Sequence, residues 1–435
     1  MKVLVIGSGG REHCLVWKIN QSPMVKKIYC ASGNAGISGL AECIDIKETD
    51  ISGLKRFANK EKIDLTVVGP ELPLTLGIVN EFESDGLKIF GASREASIIE
   101  GSKSFAKDLM KKNKIPTAKY QTFISKEEAL RYIEEKGSPI VIKADGLAAG
   151  KGVIPCKNMD ESIAAIDLIM VKKIFGDAGK KIIVEDFLIG EEASFLVFTD
   201  GESILPLPTS QDHKPIFDGD RGPNTGGMGA YSPAPIVNRN LHTQIMEEII
   251  MPTIRAMAAK GRRYKGVLYA GLMIDNGRAE VLEFNTRFGD PETQPLLMRM
   301  KSDIIPIFEA TIEGNLSKQK IEWDDRACAS VVLSSKGYPG AYKKGFEITG
   351  LEEVSMIENL EVFHAGTAIQ ENKVVTKGGR VLGVTALGYR IKEALDVVYS
   401  AVKKIHFNGM HYRHDIGSKA LDIFEQKRVK TRDFR

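Results

Sequence analysis

The chain has 435 residues, of which 43% are apolar and 27% are charged, and its formal net charge is +3. This length exceeds what one hydrophobic core usually supports, so about two to four domains are expected. The near-balanced charge excludes general attraction to nucleic acid or membranes as the basis of function. The five scattered cysteines form no CxxC pair, and no apolar run reaches the length of a signal peptide or a membrane span. These features predict a cytoplasmic globular protein with reduced thiols.

Residues 1–101 are predicted to form a parallel α/β domain, because short apolar strands alternate with helical patterns. The predicted strands are Lys2–Ile6, Lys27–Ala31, Leu65–Val68 and Lys88–Phe90, and the predicted helices are Glu12–Asn20, Ile51–Asn59 and Leu76–Glu83. Ligands of such sheets bind beyond the carboxyl ends of the strands, where Gly7–Arg11 and Gly69–Glu71 would lie.

The first glycine-rich turn, Gly7–His13, begins like a dinucleotide-binding fingerprint but has Glu12 where the third glycine is expected. A helix N-terminus after a first strand can bind phosphate, and Arg11 would assist. A phosphate site is favoured here, while a structural turn and a dinucleotide site stay open as alternatives.

Residues 102–118 begin a central domain with a helix over 102–113, and residues 119–190 are predicted to form a small separate lobe. In this lobe, Lys119–Phe123 and Pro139–Lys143 are predicted strands, Ser125–Glu128 is a capping box, and a further helix lies near 160–170. The strand Pro139–Lys143 leads into a glycine-rich stretch, 144–152, and then into a second strand.

That glycine-rich stretch lacks the spacing of a Walker loop and its Ser or Thr after the lysine. A glycine-rich hairpin tip can nevertheless fold over a triphosphate, because its N–H groups approach closely and its lysines add charge. The alternative is a solvated loop. The acidic connector over 184–192 could similarly contact adenine and ribose, or be an ordinary acidic strand end.

Residues 191–325 are predicted to form a larger antiparallel unit. Its clearest feature is a hairpin, because Asn276-Gly277 separates the apolar runs Leu268–Ile274 and Ala279–Phe284. The second run leads directly into a group of polar residues, and residues 222–229 of the same unit are rich in glycine.

On the second strand of this hairpin, Glu283 and Asn285 share one face, since alternate strand residues point the same way. A carboxylate and an amide oxygen suit Mg²⁺, and Arg287 could hold a phosphate or carboxylate. The alternative is an outward polar face, but the apolar neighbours Val281 and Leu282 favour a buried strand and a metal site.

The segment Gly222–Gly229 contains four glycines and follows Asp212, His213 and Lys214. It is typical of a mobile loop or an anion-binding nest that could close over a substrate, or of a plain flexible loop. Beyond residue 326, the strands Ser330–Leu333 and Val381–Leu387 and a helix near 392–404 predict a mixed α/β C-terminal domain over 326–435. The chain as a whole is therefore predicted to be a multidomain α/β and α+β protein.

Together these segments resemble the ATP-grasp ligases and, among them, the phosphoribosylamine–glycine ligase family. The resemblance covers almost the whole chain and rests on Gly7–His13, Gly69–Glu71, Glu100–Lys103, Lys143–Val153, Pro223–Pro233, Glu283–Gln294 and Tyr412–Gly417. It implies an N-terminal substrate domain, a small ATP-clamping lobe, a central catalytic domain and a C-terminal domain.

The resemblance also implies roles for individual residues. Arg287 and Lys143 would be catalytic, and Glu283 and Asn285 would bind Mg²⁺ or Mn²⁺. The predicted contacts with ATP are Lys103, Lys143, Gly150, Lys151, Gly152, Glu185, Phe187, Leu188, Glu191 and Glu192. The predicted contacts with the other substrates are Gly9, Gly10, Arg11, Glu71, Asp212, Lys214, Asn224, Thr225, Gly226, Arg287 and Asp290.

One feature of the wider superfamily is missing, because the preceding hairpin strand has Gly271 where many of its members have an acidic metal ligand. Asp290 and Glu292 are alternative sources of a carboxylate.

The implied reaction phosphorylates glycine with ATP and transfers the glycyl group to 5-phosphoribosylamine, giving glycinamide ribonucleotide in purine biosynthesis. A monomer, with transient contact to the preceding pathway enzyme, is expected. The rival interpretations are another ATP-grasp enzyme, such as a carboxylase or formyl-phosphate ligase, and a regulatory protein that binds nucleotide without turnover.

Overall fold

The computed structural model describes residues 1–148 and 152–423. Its N-terminal part is a five-stranded sheet, and every strand pair in it is parallel. The strand order is Glu42–Ile44, Lys27–Ser32, Lys2–Gly7, Leu65–Val68 and Ile89–Phe90. The helices are Gly10–Asn20, Ile51–Glu61, Glu71–Leu76 and Ile78–Glu83, with a short 3-10 turn at Ile37–Gly39. The central strand is buried almost throughout because helices cover both faces of the sheet.

Two elements of this domain differ in their bounds from the prediction. The helix predicted over Leu76–Glu83 is two helices, because Gly77 adopts a left-handed conformation with φ +90° and ends the first one. The strand predicted over Lys88–Phe90 is only Ile89–Phe90.

Residues 120–186 form a small antiparallel sheet with its own hydrophobic core. The strand order is Tyr120–Phe123, Ile182–Asp186, Ile140–Ala144 and Val153–Cys156. Its helices are Lys126–Lys136 and Met159–Ile166, followed by a π turn at Asp167–Val171 and a 3-10 turn at Gly176–Lys180. The N-cap half of the predicted capping box is present, since Ser125 Oγ accepts from the Glu128 N–H at 3.3 Å.

The central sheet is antiparallel and contains the predicted hairpin. Its strand order is Ile204–Pro206, Glu191–Thr199, Gly266–Asp275 and Arg278–Asn285. Its helices are Arg94–Gly101, Lys103–Lys112, Arg239–Ile245, Met251–Ala259, Thr293–Met298 and Ile304–Glu313, with a π turn at Met246–Ile250 and a 3-10 turn at Leu316–Lys318. Separate apolar clusters cover its two faces, and one of them continues into the N-terminal domain.

The C-terminal sheet takes strands from two separate parts of the chain. Its order is Gln211–Asp212, Gly229–Ser232, Ala327–Ser335, Arg380–Gly388 and Leu360–His364, and Met410–His411 also pairs with Ala327–Ser335. Helices Leu351–Ser355 and Ile391–Val402 accompany it, as do the ribbons Pro215–Phe217 with Arg221–Asn224 and Thr367–Gln370 with Lys373–Thr376. Residues 211–232, which the sequence places with the central unit, thus extend the C-terminal sheet.

Within the described parts of the chain, no helix is long and apolar enough to cross a membrane.

Candidate active site

A cleft with a volume of about 380 Å³ lies where these four sheets approach one another, and most of the predicted site residues line it. The lining includes Arg11, Glu71, Lys103, Lys143, Gly152, Glu185, Phe187, Leu188, Glu192, Asp212, Lys214, Asn224, Thr225, Gly226, Glu283, Asn285, Arg287 and Asp290. Three predicted residues, Gly9, Gly10 and Glu191, are not among the lining residues. Gly150 and Lys151 lie outside the described residues.

On the small-lobe side, two lysines share one buried carboxylate. Lys143 Nζ and Lys107 Nζ each lie 2.9 Å from Glu185 Oε2. Lys143 Nζ also donates to the carbonyl of Leu282 at 3.0 Å. The other carboxylate oxygen of Glu185 is buried and has no hydrogen-bond partner among the described residues. Burial lowers the pKa of Lys107 to about 8, against the opposing charge of Glu185. Glu185 Oε1 is thus an unused acceptor on the small-lobe side of the cleft.

After Glu185 the chain forms a short connector that leads to the two candidate ribose contacts, Glu191 and Glu192. Phe187 and Leu188 line the cleft, and the chain then enters the strand Glu191–Thr199. Because neighbouring strand residues point to opposite faces, Glu192 faces the cleft and pairs with Lys214, while Glu191 accepts from Gln211 Nε2 at 3.3 Å.

The start of the glycine-rich stretch is tied to the helix Lys103–Lys112. Asp145 accepts from the Ser104 N–H at 3.0 Å and from the Ser104 and Ser102 hydroxyls at 2.6 and 3.1 Å. Lys103 Nζ donates to the Gly146 carbonyl at 3.1 Å. The predicted phosphate lysine is therefore coupled to the base of this stretch.

Glu283 and Asn285 both line the cleft, as their alternation predicts. Gly271 pairs directly with Glu283, so the opposite strand supplies no carboxylate there. The register shifts at the next pair, Leu272 with Val281, and leaves Leu282 as a bulged residue whose carbonyl accepts from Lys143. Among the described residues, no group of three or more His, Cys, Asp or Glu is arranged to hold a metal ion.

The charge around Glu283 is strongly positive. Burial opposes its ionisation, but Lys214, Lys103, Lys143 and Arg287 outweigh burial and keep the pKa of Glu283 below its ordinary value. An ionised carboxylate beside an amide oxygen is a donor set that fits a hard divalent cation which also binds phosphates.

Arg287 is the central link between the N-terminal and central domains. Its Nε lies 3.2 Å from Glu71 Oε2, and its Nη2 lies 3.0 Å from Glu100 Oε1 and 3.0 Å from Asn285 Oδ1. Glu100 also accepts from the N–H of Thr286 at 2.7 Å. Burial would raise the pKa of Glu71, but the charges of Arg287 and Arg11 hold it at about 2. The guanidinium is therefore fixed in place next to the predicted metal ligands.

The opposite wall is built from the C-terminal sheet and its ribbon. Asp212 and Lys214 face the cleft from one side of the ribbon, and Asn224–Gly226 from the other. Burial raises the pKa of Asp212 to about 7 against the charge of Lys214, and Glu292 adds to the rise. Asp212 can thus exchange a proton near neutral pH.

The first glycine turn is arranged differently from a simple phosphate site. Glu12 Oε2 accepts from the Gly9 N–H at 2.6 Å, so a carboxylate already lies at this helix N-terminus. Arg11 donates to the Gly69 carbonyl at 2.6 Å and reaches the cleft. The two predicted turns do meet at the carboxyl edge of the sheet.

Several lining residues were missed by sequence reasoning, namely Glu100, Lys107, Tyr269 and Arg380. Lys107 lies four residues after Lys103, so helical spacing could have revealed it. Glu100 lies in a segment used for the resemblance but received no role. Arg380 Nη1 donates to the carbonyls of Gly226 and Asp290 at 2.8 and 2.7 Å. No local pattern around Arg380 indicates this contact.

The four sheets and the cleft between them define an ATP-grasp enzyme. The family models for phosphoribosylglycinamide synthetase match the chain in three parts, the N domain over residues 1–100, the ATP-grasp (A) domain over 101–293 and the C domain over 328–419. The chain belongs to the phosphoribosylglycinamide synthetase family, and it is a ligase that forms glycinamide ribonucleotide in purine biosynthesis.

Individual proteins agree with this assignment. The chain is 52% identical over 418 residues to a phosphoribosylamine–glycine ligase of Caldanaerobacter subterraneus subsp. tengcongensis, covering 96% of this chain and all of that protein. The crystal structure of a phosphoribosylamine–glycine ligase from Thermotoga maritima superimposes with a TM-score of 0.82 at 32% identity, covering 96% of this chain and 100% of the other.

A more distant structure shares the fold alone. It is the biotin carboxylase domain of the Hydrogenobacter thermophilus 2-oxoglutarate carboxylase in complex with the magnesium salt of ADP. Its TM-score is 0.71 at 16% identity, with 94% of this chain and 91% of that chain covered.

Proposed function

We propose that the cleft joins glycine to 5-phosphoribosylamine through glycyl phosphate and releases ADP and phosphate. The carboxylate of glycine attacks the γ-phosphate of ATP, and the amine of phosphoribosylamine then attacks the glycyl carbonyl and expels phosphate. The observation that carries the proposal is the convergence of Lys103, Lys143, Glu283, Asn285 and Arg287 on one cleft. This set suits phosphoryl transfer, in which positioning and charge neutralisation dominate catalysis.

On the nucleotide side, Lys103 and Lys143 would contact the phosphates of ATP. Phe187 and Leu188 would flank the adenine, and the unpaired Glu185 Oε1 would accept a hydrogen from its amino group. Glu192, which faces the cleft, is favoured over Glu191 for the ribose hydroxyls. Leu147, Ala148 and Gly152, which line the cleft, would lie against the triphosphate and help to exclude water from the acyl phosphate.

Glu283 and Asn285 would hold Mg²⁺ or Mn²⁺. When bound, the ion would neutralise charge on the phosphates of ATP as the carboxylate of glycine approaches. Arg287 lies next to both residues and would stabilise the negative charge that develops on the acyl phosphate. Its contacts with Glu71 and Glu100 hold the guanidinium in one orientation beside this position.

The remaining wall would hold the two acceptor substrates. Arg11, Glu71, Asp212, Lys214, Asn224, Thr225, Gly226 and Asp290 line it, and its mixed charge suits both an amino acid and a sugar phosphate. Gly9 and Gly10 would act from behind this wall, by shaping the turn that carries Arg11. The enzyme would work in the cytoplasm as a monomer, with transient contact to the preceding pathway enzyme.

Substrate dependence tests the proposal. Release of ADP from ATP should require glycine and phosphoribosylamine together, and neither bicarbonate nor formate should replace glycine. Turnover with bicarbonate or formate would favour a carboxylase or a formyl-phosphate ligase. Nucleotide binding without any turnover under these conditions would favour a regulatory protein.

A further inference from the structure

The segment Tyr412–Gly417 has no part in the proposed mechanism, yet it contains an unusually buried charge. The side chain of Arg413 is only 1% exposed. Its Nε and Nη2 each lie 2.7 Å from an oxygen of Asp415, and its Nη1 donates to Asp220 Oδ1 at 2.8 Å and to the Pro215 carbonyl at 3.0 Å. A buried guanidinium paired in this way is held in one position.

Two of these partners, Asp220 and Pro215, belong to the ribbon formed by Pro215–Phe217 and Arg221–Asn224. Other atoms of the C-terminal segment hold the same turn. Asp415 Oδ2 accepts from the Gly219 N–H at 2.8 Å, and the His414 N–H donates to Asp218 Oδ1 at 2.8 Å. The outer end of the ribbon is therefore fixed by residues almost two hundred positions away in the chain.

The inner end of the ribbon carries cleft residues. Lys214 precedes its first strand, and Asn224 ends its second. The N–H and hydroxyl of Thr225 both donate to the Lys214 carbonyl, at 2.9 and 2.7 Å. A two-stranded ribbon has marginal stability by itself in water, so such contacts at its ends help to fix its position. His411 Nε2 adds a contact in the first strand, to the Ile216 carbonyl at 2.9 Å.

We propose that Tyr412–Gly417 is a positioning element for the substrate half of the cleft. Arg413, through Pro215 and Asp220, holds the ribbon so that Lys214 and Thr225 stay at the cleft wall. This inference rests on the proposed role of Lys214 in substrate binding. Arg413 itself touches no substrate, and the ribbon reaches the nucleotide half of the cleft through the pair of Lys214 with Glu192.

Steady-state kinetics of the full-length enzyme test the inference with two variants. Arg413→Gln removes the guanidinium. Asp220→Asn keeps the guanidinium but weakens its contact with the ribbon, together with the pair that Asp220 forms with Lys419. We expect KM for glycine or phosphoribosylamine to rise about tenfold in Arg413→Gln and by less in Asp220→Asn. KM for ATP should rise less, by about twofold, through the pair of Lys214 with Glu192. The control is Arg326→Gln, which breaks a pair with Asp324 in the same domain away from the cleft and should leave every KM unchanged. An equal rise in KM for ATP would overturn the inference.

A double-mutant cycle separates this inference from the proposed function. If Arg413 acts through Lys214, KM for the acceptor substrates in the double variant Lys214→Ala/Arg413→Gln should not exceed that of the more impaired single variant. Fully additive losses would contradict the positioning role. If Lys214→Ala by itself left every KM unchanged, the proposed role of Lys214 would fail instead.

Hydrogen exchange provides a second readout that does not require turnover. Peptides covering residues 213–226 should exchange faster in Asp220→Asn than in the unaltered enzyme, while peptides of the small lobe should not change. Unchanged exchange over residues 213–226 would contradict the inference even if Arg413→Gln failed to fold.

Discussion

The two halves of the cleft are built in different ways. The half proposed to bind nucleotide comes mainly from residues 100–192 and one hairpin, and most of its charged side chains lie on regular strands and helices. The acceptor half is assembled from the N-terminal turns, the ribbon over 215–224, the turn at Asp290 and the start of a C-terminal strand. The first half therefore draws on two stretches of the chain, whereas the second is assembled from several distant ones.

This difference explains how much of the molecule could be predicted from sequence. Strand periodicity predicted that Glu283 and Asn285 share a face, and the Asn-Gly turn predicted their hairpin. The same reasoning placed residues 211–232 with the central unit, because no local pattern shows that Gln211–Asp212 and Gly229–Ser232 pair into the C-terminal sheet. Arg380 was missed for the same reason.

The Gly7–His13 turn shows a second limit. Its glycines suggested an open phosphate site, but Glu12 folds back onto the Gly9 N–H. Capping by a side chain three residues away competes directly with an external anion for the same donor. The sequence contains Glu12, but the pattern alone cannot decide which anion occupies the helix N-terminus.

The largest expected effect concerns the nucleotide half. Glu283→Ala should lower turnover by about 10³-fold, because it removes the only carboxylate of the proposed metal pair, and excess Mg²⁺ should rescue it only partly. Asn285→Ala should be milder, since it removes a neutral ligand. Rates measured against Mg²⁺ concentration would check both variants. The matched control is Asp275→Asn, an exposed carboxylate on the same hairpin, and wild-type behaviour of Glu283→Ala would end the metal hypothesis.

A smaller effect is expected in the acceptor half. A Cβ at Gly226 would lie 2.8 Å from Arg380 Cζ, so Gly226→Ala should push the guanidinium away from the carbonyls it binds. We expect KM for glycine or phosphoribosylamine to rise about five- to tenfold while KM for ATP stays unchanged. Gly39→Ala, where a Cβ meets nothing within 4 Å, is the control. A larger rise in KM for ATP would show that the two halves have been assigned in reverse.

Lowering the pH should destabilise the folded acceptor side of the protein before it destabilises the small lobe. Burial lowers the pKa of His13 and His213 to about 3 and that of His364 to about 4, and residues 119–190 contain no histidine. His13 Nδ1 accepts from the His364 N–H at 2.7 Å, across the contact between the N- and C-terminal domains. Below pH 6.5 these histidines stay neutral in the folded state but gain protons in the unfolded state. Their contribution to the free energy of unfolding is therefore complete above pH 6.5 and is lost as the pH falls.

Unfolding by urea at pH 7 and pH 5 would measure this effect. Each buried histidine should remove about 2 kcal/mol of unfolding free energy at pH 5. His213→Leu should reduce this pH dependence, because it removes one of the buried histidines. The substitution breaks no side-chain hydrogen bond within the described residues, since neither ring nitrogen of His213 has a partner there. As a control, changing the exposed His406 to Gln should leave the pH dependence of the unfolding free energy unaltered. Equal stability of the unaltered enzyme at both pH values would refute the linkage.

The central claim is that ATP phosphorylates glycine itself. Direct attack of an amine on a carboxylate would have to expel oxide, whereas a phosphorylated carboxylate loses phosphate. Glycine labelled with ¹⁸O in its carboxylate should therefore pass one labelled oxygen to inorganic phosphate at each turnover, as mass spectrometry of the phosphate would show. Unlabelled phosphate together with labelled AMP would indicate adenylation and would contradict the mechanism.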